Sequence, residues 1–246
     1  QNGEIYAMVN APEFDLNEAY VFTAAVEGDE TLAGLSDNDK LNQMWRNTCI
    51  NDTYEPGSTF KIITAASALE DGVVSLNDTF SCPGYCIVED RRIRCHKTTG
   101  HGSETFLEGF MNSCNPVFIN VGARVGINSM YSHFTDLGLF EKTGVDLPGE
   151  SSSIMHDVDG VGAVELATIS FGQSFQITPL QLLRSVSAII NGGTLVTPHF
   201  AVSAAAEDFS VVEKFTYETS GCGLSEETCE TMKMVLEKVV AEGTGN

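Results

Sequence analysis

Tyr54-Glu55-Pro56-Gly57-Ser58-Thr59-Phe60-Lys61 runs directly into Ile62-Ile63-Thr64-Ala65-Ala66-Ser67-Ala68-Leu69. Pro56 and Gly57 punctuate the backbone. The apolar, alanine-rich run after them predicts a buried helix from about Thr59 to Glu70, stopped at Asp71-Gly72 by a glycine C-cap. Ser58 then stands at the helix N-terminus, and Lys61, three residues on, shares its face one turn along. A serine hydroxyl is a weak nucleophile until a base takes its proton, and a lysine kept neutral by burial or a cationic neighbour can do that. The helix N-terminus adds backbone N–H groups and a positive dipole end, which suit a developing oxyanion. An S-x-x-K match alone is a weak signal, because Ser58 as a plain N-cap and Lys61 as a solvated side chain explain it equally well.

Further out lies Ser113-Cys114-Asn115, an S-x-N triplet of the kind that accompanies S-x-x-K in serine acyltransferases attacking β-lactams. Ser103 fits an N-cap for a helix from Glu104 to Met111. Asn115 fits a cap for the next helix, with Pro116 at its first position and Gly126 ending it. Ser113 and Asn115 thus fall in a tight junction between two helices, where side chains are held firmly enough for a proton relay.

The rest of the chain alternates helical and extended signals. Asn128 opens a helix ending at Leu137-Gly138, and Leu147 to Gly162 reads as a long loop. Thr178-Pro179 starts an apolar helix to Ile190, and Ser225 caps a final one running to Glu242. Residues 27–42 read as irregular or loosely helical. Extended segments are expected in Gln1 to Val9, in a hairpin about Glu89-Asp90, in Thr194 to Ala204 and in Phe215-Thr216-Tyr217. A strand, a helical block and further strands predict an α+β domain, with an antiparallel sheet packed beside a helical lobe.

Composition narrows the function. The 246 residues carry 13 Lys+Arg against 34 Asp+Glu, a formal charge of −21. Such a surface repels phosphate backbones and anionic lipid, which excludes nucleic acid as a partner. Positive charge is concentrated in Arg91, Arg92, Arg94 and Lys97, where a solvated hairpin face explains it better than a substrate-carboxylate site. No run approaches the ~20 apolar residues of a membrane-spanning helix.

Seven cysteines cannot all pair internally. Cys82, Cys86, Cys95 and His96 crowd into one segment whose C-x3-C half resembles a zinc knuckle, so thiolates and imidazole suggest a structural Zn2+. A Cys82–Cys95 or Cys86–Cys95 disulfide is the rival, and His101 is a rival fourth ligand. Adjacent Cys95 and His96 point to opposite sides of a regular strand, so the chain must turn there for both to bind. Cys114 fills the free position of S-x-N, so its thiol need not do chemistry.

With its flanks, the segment Asp52 to Lys61 resembles the nucleophile region of class B penicillin-binding proteins, the monofunctional peptidoglycan transpeptidases. So do Gly144-Val145-Asp146-Leu147-Pro148-Gly149-Glu150, Phe171-Gly172-Gln173 and Asn191-Gly192-Gly193-Thr194. The resemblance covers nearly the whole chain and is closest to the sporulation-specific (stage V sporulation protein D-like) branch. It implies the penicillin-binding-protein transpeptidase, β-lactamase-like fold, with the nucleophile helix between sheet and lobe. It implies Ser58 as nucleophile, Lys61 as its base, Ser113 as proton relay, Asn115 as positioning group, and Gly172 and Gln173 as substrate contacts. Stem peptides of peptidoglycan would be the substrates and β-lactam antibiotics the acylating inhibitors, with no cofactor for catalysis. A membrane glycosyltransferase partner, the outer face of the cytoplasmic membrane and a forespore septum follow from the same resemblance. Residues 1–246 would be the catalytic domain, with an N-terminal anchor and the C-terminal strands outside this chain. Lys142-Thr143-Gly144 spells the third motif but is expected to be a decoy, because no strand-like alternation surrounds it. His101, within a Gly-His-Gly that relatives without these cysteines share, is expected to be structural. A non-catalytic penicillin-binding sensor or scaffold, and a zinc-organised module, are the competing functions.

Overall fold

Small side chains let one helix run through the middle of the molecule. In the computed structural model, which describes residues 2–245, Gly57–Phe60 form a single 3-10 turn that continues into a helix over Lys61–Glu70. Lys61 and the run Ile63 to Ala68 are buried. Ala65, Ala66 and Ala68 present little bulk, so neighbouring helices approach from several sides. Phe60 is fully buried, its ring edge-on to Phe175 at 4.6 Å and to Phe134 at 5.2 Å. Those aromatic contacts anchor the turn that carries Ser58.

In chain order the helices are α1 (Ala24–Glu27), α2 (Asp37–Met44), α3 (Thr48–Asn51), α4 (Lys61–Glu70), α5 (Phe106–Met111), α6 (Asn115–Val125), α7 (Ile127–Asp136), α8 (Ala163–Ile169), α9 (Pro179–Ile190) and α10 (Glu226–Glu242). Helices α6, α7, α9 and α10 all pack on α4. Where α6 meets α8, a Cβ on Gly122 would lie 2.5 Å from that of Ser170, so the glycine sets how closely the pair packs. The strands are β1 (Thr79–Cys82), β2 (Tyr85–Val88), β3 (Arg91–Arg94), β4 (Gly102–Thr105), β5 (Thr194–Val196), β6 (Ser203–Ala205), β7 (Val211–Lys214) and β8 (Thr219–Gly221). They pair antiparallel as β1–β4, β2–β3, β5–β8 and β6–β7.

The α+β architecture agrees with the sequence expectation, and the details differ for local reasons. The extended segments form two-stranded pairs rather than one sheet among the described residues. The run 194–204 breaks because Pro198 has no N–H to donate and Asp146 takes the N–H groups of Phe200 and Ala201 at 2.9 and 2.7 Å. Phe215 to Tyr217 is not a strand: Tyr217 stacks on His199 at 3.6 Å and donates to the Ala201 carbonyl at 2.7 Å. The opening segment makes one parallel bridge, Glu4 to His199, instead of a strand, and Gln1 lies outside the described residues.

The hairpin about Glu89-Asp90 forms as expected between β2 and β3. Ser103 does not cap a helix but lies in β4. Thr105 is the cap, because Glu108 three residues on completes a capping box with it, its carboxylate taking the Thr105 N–H at 2.7 Å. The helix expected to open at Asn128 begins one residue earlier, at Ile127. Helix α9 starts at Thr178-Pro179 as expected, and Thr178 and Gln181 form a capping box there. No helix among the described residues is long and apolar enough to cross a membrane.

Candidate active site

Helix α5 ends in a Schellman turn: Cys114 N–H donates to the Gly109 carbonyl at 2.8 Å and Ser113 N–H to that of Phe110 at 2.9 Å. The left-handed position of that motif usually holds glycine, but here it holds Ser113 with φ 51°. A side chain there costs about 1–2 kcal/mol, strain of the kind found where a site needs a group held in place. Cys114 is also the N-cap of α6, so Asn115 starts the next helix directly. Ser113 and Asn115 are therefore fixed by two helix ends at once, as the expected junction implied, although the cap is Cys114 and not the expected Asn115.

Lys61 is 2 % exposed, and its amine gathers the motif residues. Nζ lies 3.2 Å from Ser58 Oγ, 2.9 Å from Ser113 Oγ, 2.7 Å from the Ser113 carbonyl and 2.8 Å from Asn115 Oδ1. Asn115 Nδ2 donates to the Arg94 carbonyl at 3.1 Å, which leaves the amide oxygen facing the lysine. Burial brings the Lys61 pKa down to about 8, against an opposite pull from Cys114 and Cys95. A group titrating there is neutral roughly a tenth of the time at pH 7, against roughly one part in three thousand for an ordinary lysine.

Counting protons makes the same point. The Ser113 carbonyl and Asn115 Oδ1 can only accept, and a neutral amine has two N–H groups for those two oxygens. Its lone pair is then left for a hydroxyl, and Ser58 and Ser113 are the two within reach. A neutral Lys61 would thus have its lone pair free for a serine hydroxyl.

The turn under Ser58 is braced from behind. Gly57 has φ 58°, and its N–H donates to the Gly172 carbonyl at 2.8 Å. A Cβ on Gly172 would lie 2.1 Å from the Gly57 carbonyl oxygen, and Gly172 itself has φ 86°. Only glycine fits, and the constraint is the backbone of the nucleophile turn. Gly172, expected at the substrate, is buried against Gly57. Gln173 beside it is exposed.

Lys142-Thr143-Gly144 lies in a loop, not on a strand. Thr143 is buried, and its N–H and hydroxyl donate to Glu150 Oε1 at 2.7 and 2.5 Å. The hydroxyl that a third motif would offer to substrate is engaged in holding the loop together. Accordingly, Lys142→Ala in the full-length protein should change the acylation rate by a fluorescent penicillin less than tenfold, below about 1.4 kcal/mol in activation free energy. A loss as large as that of a Lys61 variant would show the triplet to be catalytic.

The cysteine segment folds differently from its expected ligand set. Ligand atoms of Cys82, Cys95, His101 and Cys114 all lie within 4.8 Å of one another. Cys86 is not in that group, because the Pro83-Gly84 turn puts it on β2, facing Ile93 across the hairpin. His96 approaches Cys95 Sγ at 3.8 Å but is exposed and does not join the others. His101 and Cys114 replace them. A cysteine inside a motif whose neighbours face a buried lysine was the available signal for Cys114. All seven cysteines are free thiols in this structure.

The comparisons agree with this geometry. The family model described as the penicillin binding protein transpeptidase domain matches residues 1–246. The chain is 41 % identical over 251 residues to stage V sporulation protein D of Bacillus subtilis, covering 100 % of this chain and 36 % of that protein. It is 29 % identical over 257 residues to peptidoglycan D,D-transpeptidase MrdA of Acinetobacter baumannii, covering 100 % of this chain and 37 % of that protein. Among solved structures, the D,D-transpeptidase domain of a peptidoglycan glycosyltransferase from Eggerthella lenta superposes with a TM-score of 0.77 at 25 % identity, over 82 % of this chain and 52 % of that one. Penicillin binding protein 3 of Mycobacterium tuberculosis complexed with aztreonam gives 0.74 at 26 % identity, over 86 % and 47 %. With the serine, lysine and S-x-N groups converging on one amine and the family model matching the chain throughout, the chain belongs to the penicillin binding protein transpeptidase domain family.

Proposed function

We propose that this domain is the catalytic unit of a peptidoglycan D,D-transpeptidase working through a serine acyl-enzyme. The observation that carries the proposal is one buried amine within hydrogen-bond reach of Ser58, Ser113 and Asn115. Neutral Lys61 takes the Ser58 proton as Oγ attacks the penultimate D-alanyl carbonyl of a stem peptide. The first-turn N–H of Ser58 has no acceptor within its own helix and suits the developing oxyanion. Collapse of the tetrahedral intermediate breaks the peptide bond, and the proton returns through Lys61 and Ser113 to the departing D-alanine nitrogen. An amine from a neighbouring strand then attacks the ester, passes its proton back by the same route and restores Ser58. Penicillins would acylate Ser58 at the first step because their strained amide imitates the terminal dipeptide. Exposed Gln173, one residue from the brace under Ser58, would contact the substrate backbone.

The chain spans 36 % and 37 % of the two curated relatives named above, so the whole protein's setting belongs to the proposal. Its substrate places the reaction outside the cytoplasmic membrane, and the likeness to stage V sporulation protein D supports a role at the forespore septum. The Eggerthella lenta domain belongs to a protein named a peptidoglycan glycosyltransferase, which supports working alongside glycan polymerisation. The test gives the full-length protein a donor peptide ending in D-alanyl-D-alanine together with an amine acceptor. Released D-alanine should match cross-linked product mole for mole. Donor hydrolysis without transfer, or penicillin acylation with no D-alanine released from any donor, would overturn the transpeptidase assignment.

A further inference from the structure

Behind the S-x-N junction, three cysteines and a histidine from four separate places in the chain converge. Cys82 ends β1, and its register partner in β4 is Gly102, which brings His101 alongside. Cys95 follows β3, and its N–H donates to the Gly84 carbonyl at 2.9 Å. Cys114 arrives from the far side as the N-cap of α6. Two glycines make the approach feasible: a Cβ on Gly84 would lie 2.1 Å from the Thr98 carbonyl oxygen, and one on Gly100 would lie 2.3 Å from that of Cys82. The three thiols are at most 2 % exposed.

We propose that Cys82, Cys95, His101 and Cys114 bind one Zn2+ in a tetrahedral site that clamps the segment presenting Ser113 and Asn115. Bonds of about 2.3 Å to sulfur and about 2.0–2.1 Å to nitrogen put tetrahedral ligands about 3.5–3.8 Å apart. Cys95 Sγ and His101 Nδ1 are 3.7 Å apart, and none of the four ligand atoms exceeds 4.8 Å from another. Three thiolates and an imidazole are a donor set that selects zinc over the harder divalent cations.

A second observation points to a cation at the same place. Glu104 is 4 % exposed, and its Oε1 has no hydrogen-bond partner among the described residues. That oxygen lies 3.8 Å from His101 Nδ1, while Oε2 accepts from Asn112 Nδ2 at 3.0 Å. A buried carboxylate oxygen beside three thiols is costly unless positive charge compensates it. The metal would supply that charge. Asn112 immediately precedes Ser113, so the same carboxylate ties the site to the strained serine. Cys114 has a defined use in this arrangement: held at the metal, it fixes the residues on both sides of it.

This inference concerns metal content and stands or falls separately from the reaction proposed above. The full-length protein, prepared without added metal, should contain about one equivalent of zinc by elemental analysis. Its Cys82, Cys95 and Cys114 thiols should resist titration until a chelator is added. Cys86→Ser and His96→Ala proteins should keep the metal, and Cys82→Ser and His101→Ala proteins should lose it. Should the latter two fail to fold, cobalt exchanged into the unaltered protein reads the donors directly. Intense thiolate-to-cobalt charge-transfer bands of a tetrahedral centre support the site, and a weak spectrum of oxygen-bound cobalt overturns it. Less than about a tenth of an equivalent of zinc, or a disulfide joining any two of the three cysteines, would also overturn it.

Discussion

Ser58→Ala should leave the full-length protein without a covalent adduct from a fluorescent penicillin, under conditions that label the unaltered protein to completion. Removing the attacking atom of an acyl transfer lowers the rate by about a thousandfold or more, so residual labelling should be undetectable by gel fluorescence. The substitution should be mild for the fold. Ser58 is exposed, its hydroxyl makes one 3.2 Å contact to Lys61, and the turn is held by Gly57 against Gly172 and by Phe60 in the aromatic cluster. Thermal unfolding should therefore change little while labelling vanishes. Mass spectrometry of the unaltered adduct should place the penicilloyl group on Ser58. Undiminished labelling of the alanine protein would mean that another hydroxyl is the nucleophile.

Lys61→Met should reduce the acylation rate by about a hundredfold to ten-thousandfold, the range for loss of a positioned general base. Methionine keeps much of the bulk but leaves the Ser113 carbonyl and Asn115 Oδ1 without the donor now 2.7 and 2.8 Å away. An orphaned oxygen costs about 1–3 kcal/mol when buried and less in this half-buried setting, so the variant should also unfold at a somewhat lower temperature. The pH profile separates chemistry from packing. In the proposed reaction the working form is the neutral amine, and burial sets the Lys61 pKa at about 8. The acylation rate of the unaltered protein should thus climb about tenfold per pH unit below that value and level off above it. Lys61→Met should lose the inflection along with the rate. A variant that keeps the same inflection would show that another group accepts the Ser58 proton.

The groups of the candidate site were legible in the sequence because their relations are local. Ser58 and Lys61 are three residues apart on a helix, and helical geometry alone puts them on one face. Ser113 and Asn115 are two apart in a junction too short to separate them, bounded by Asn112 and Pro116. The start of α9 at Thr178-Pro179 was equally readable, since a cap and a first-turn proline are adjacent in the chain. The decoy Lys142-Thr143-Gly144 could be discounted because the surrounding residues lack a strand's alternation, and Glu150 holding Thr143 gives the physical counterpart of that absence. The roles assigned to these groups came from the family resemblance, which the family match later supported.

Spacing said less about Gly172, which the resemblance placed at the substrate. Its lack of a side chain answers to the Gly57 backbone, more than a hundred residues earlier, and nothing near Phe171 or Gln173 announces that contact.

By itself the sequence determined the α+β class, the buried helix and the two motifs, because helical periodicity, caps and turn residues act over a few positions. Only the tertiary structure decided which partners meet across long separations. That Lys61 reaches Ser113 and Asn115 at the same time depends on how α4 packs against the α5–α6 junction. Cys82 and Cys95 join His101 and Cys114, not Cys86 and His96, because β1 pairs with β4 while β2 pairs with β3. Proximity along the chain favoured Cys86 and His96, which the fold leaves outside the cluster. In a strand or hairpin, neighbouring side chains point apart, and the register of a distant strand decides which ones meet.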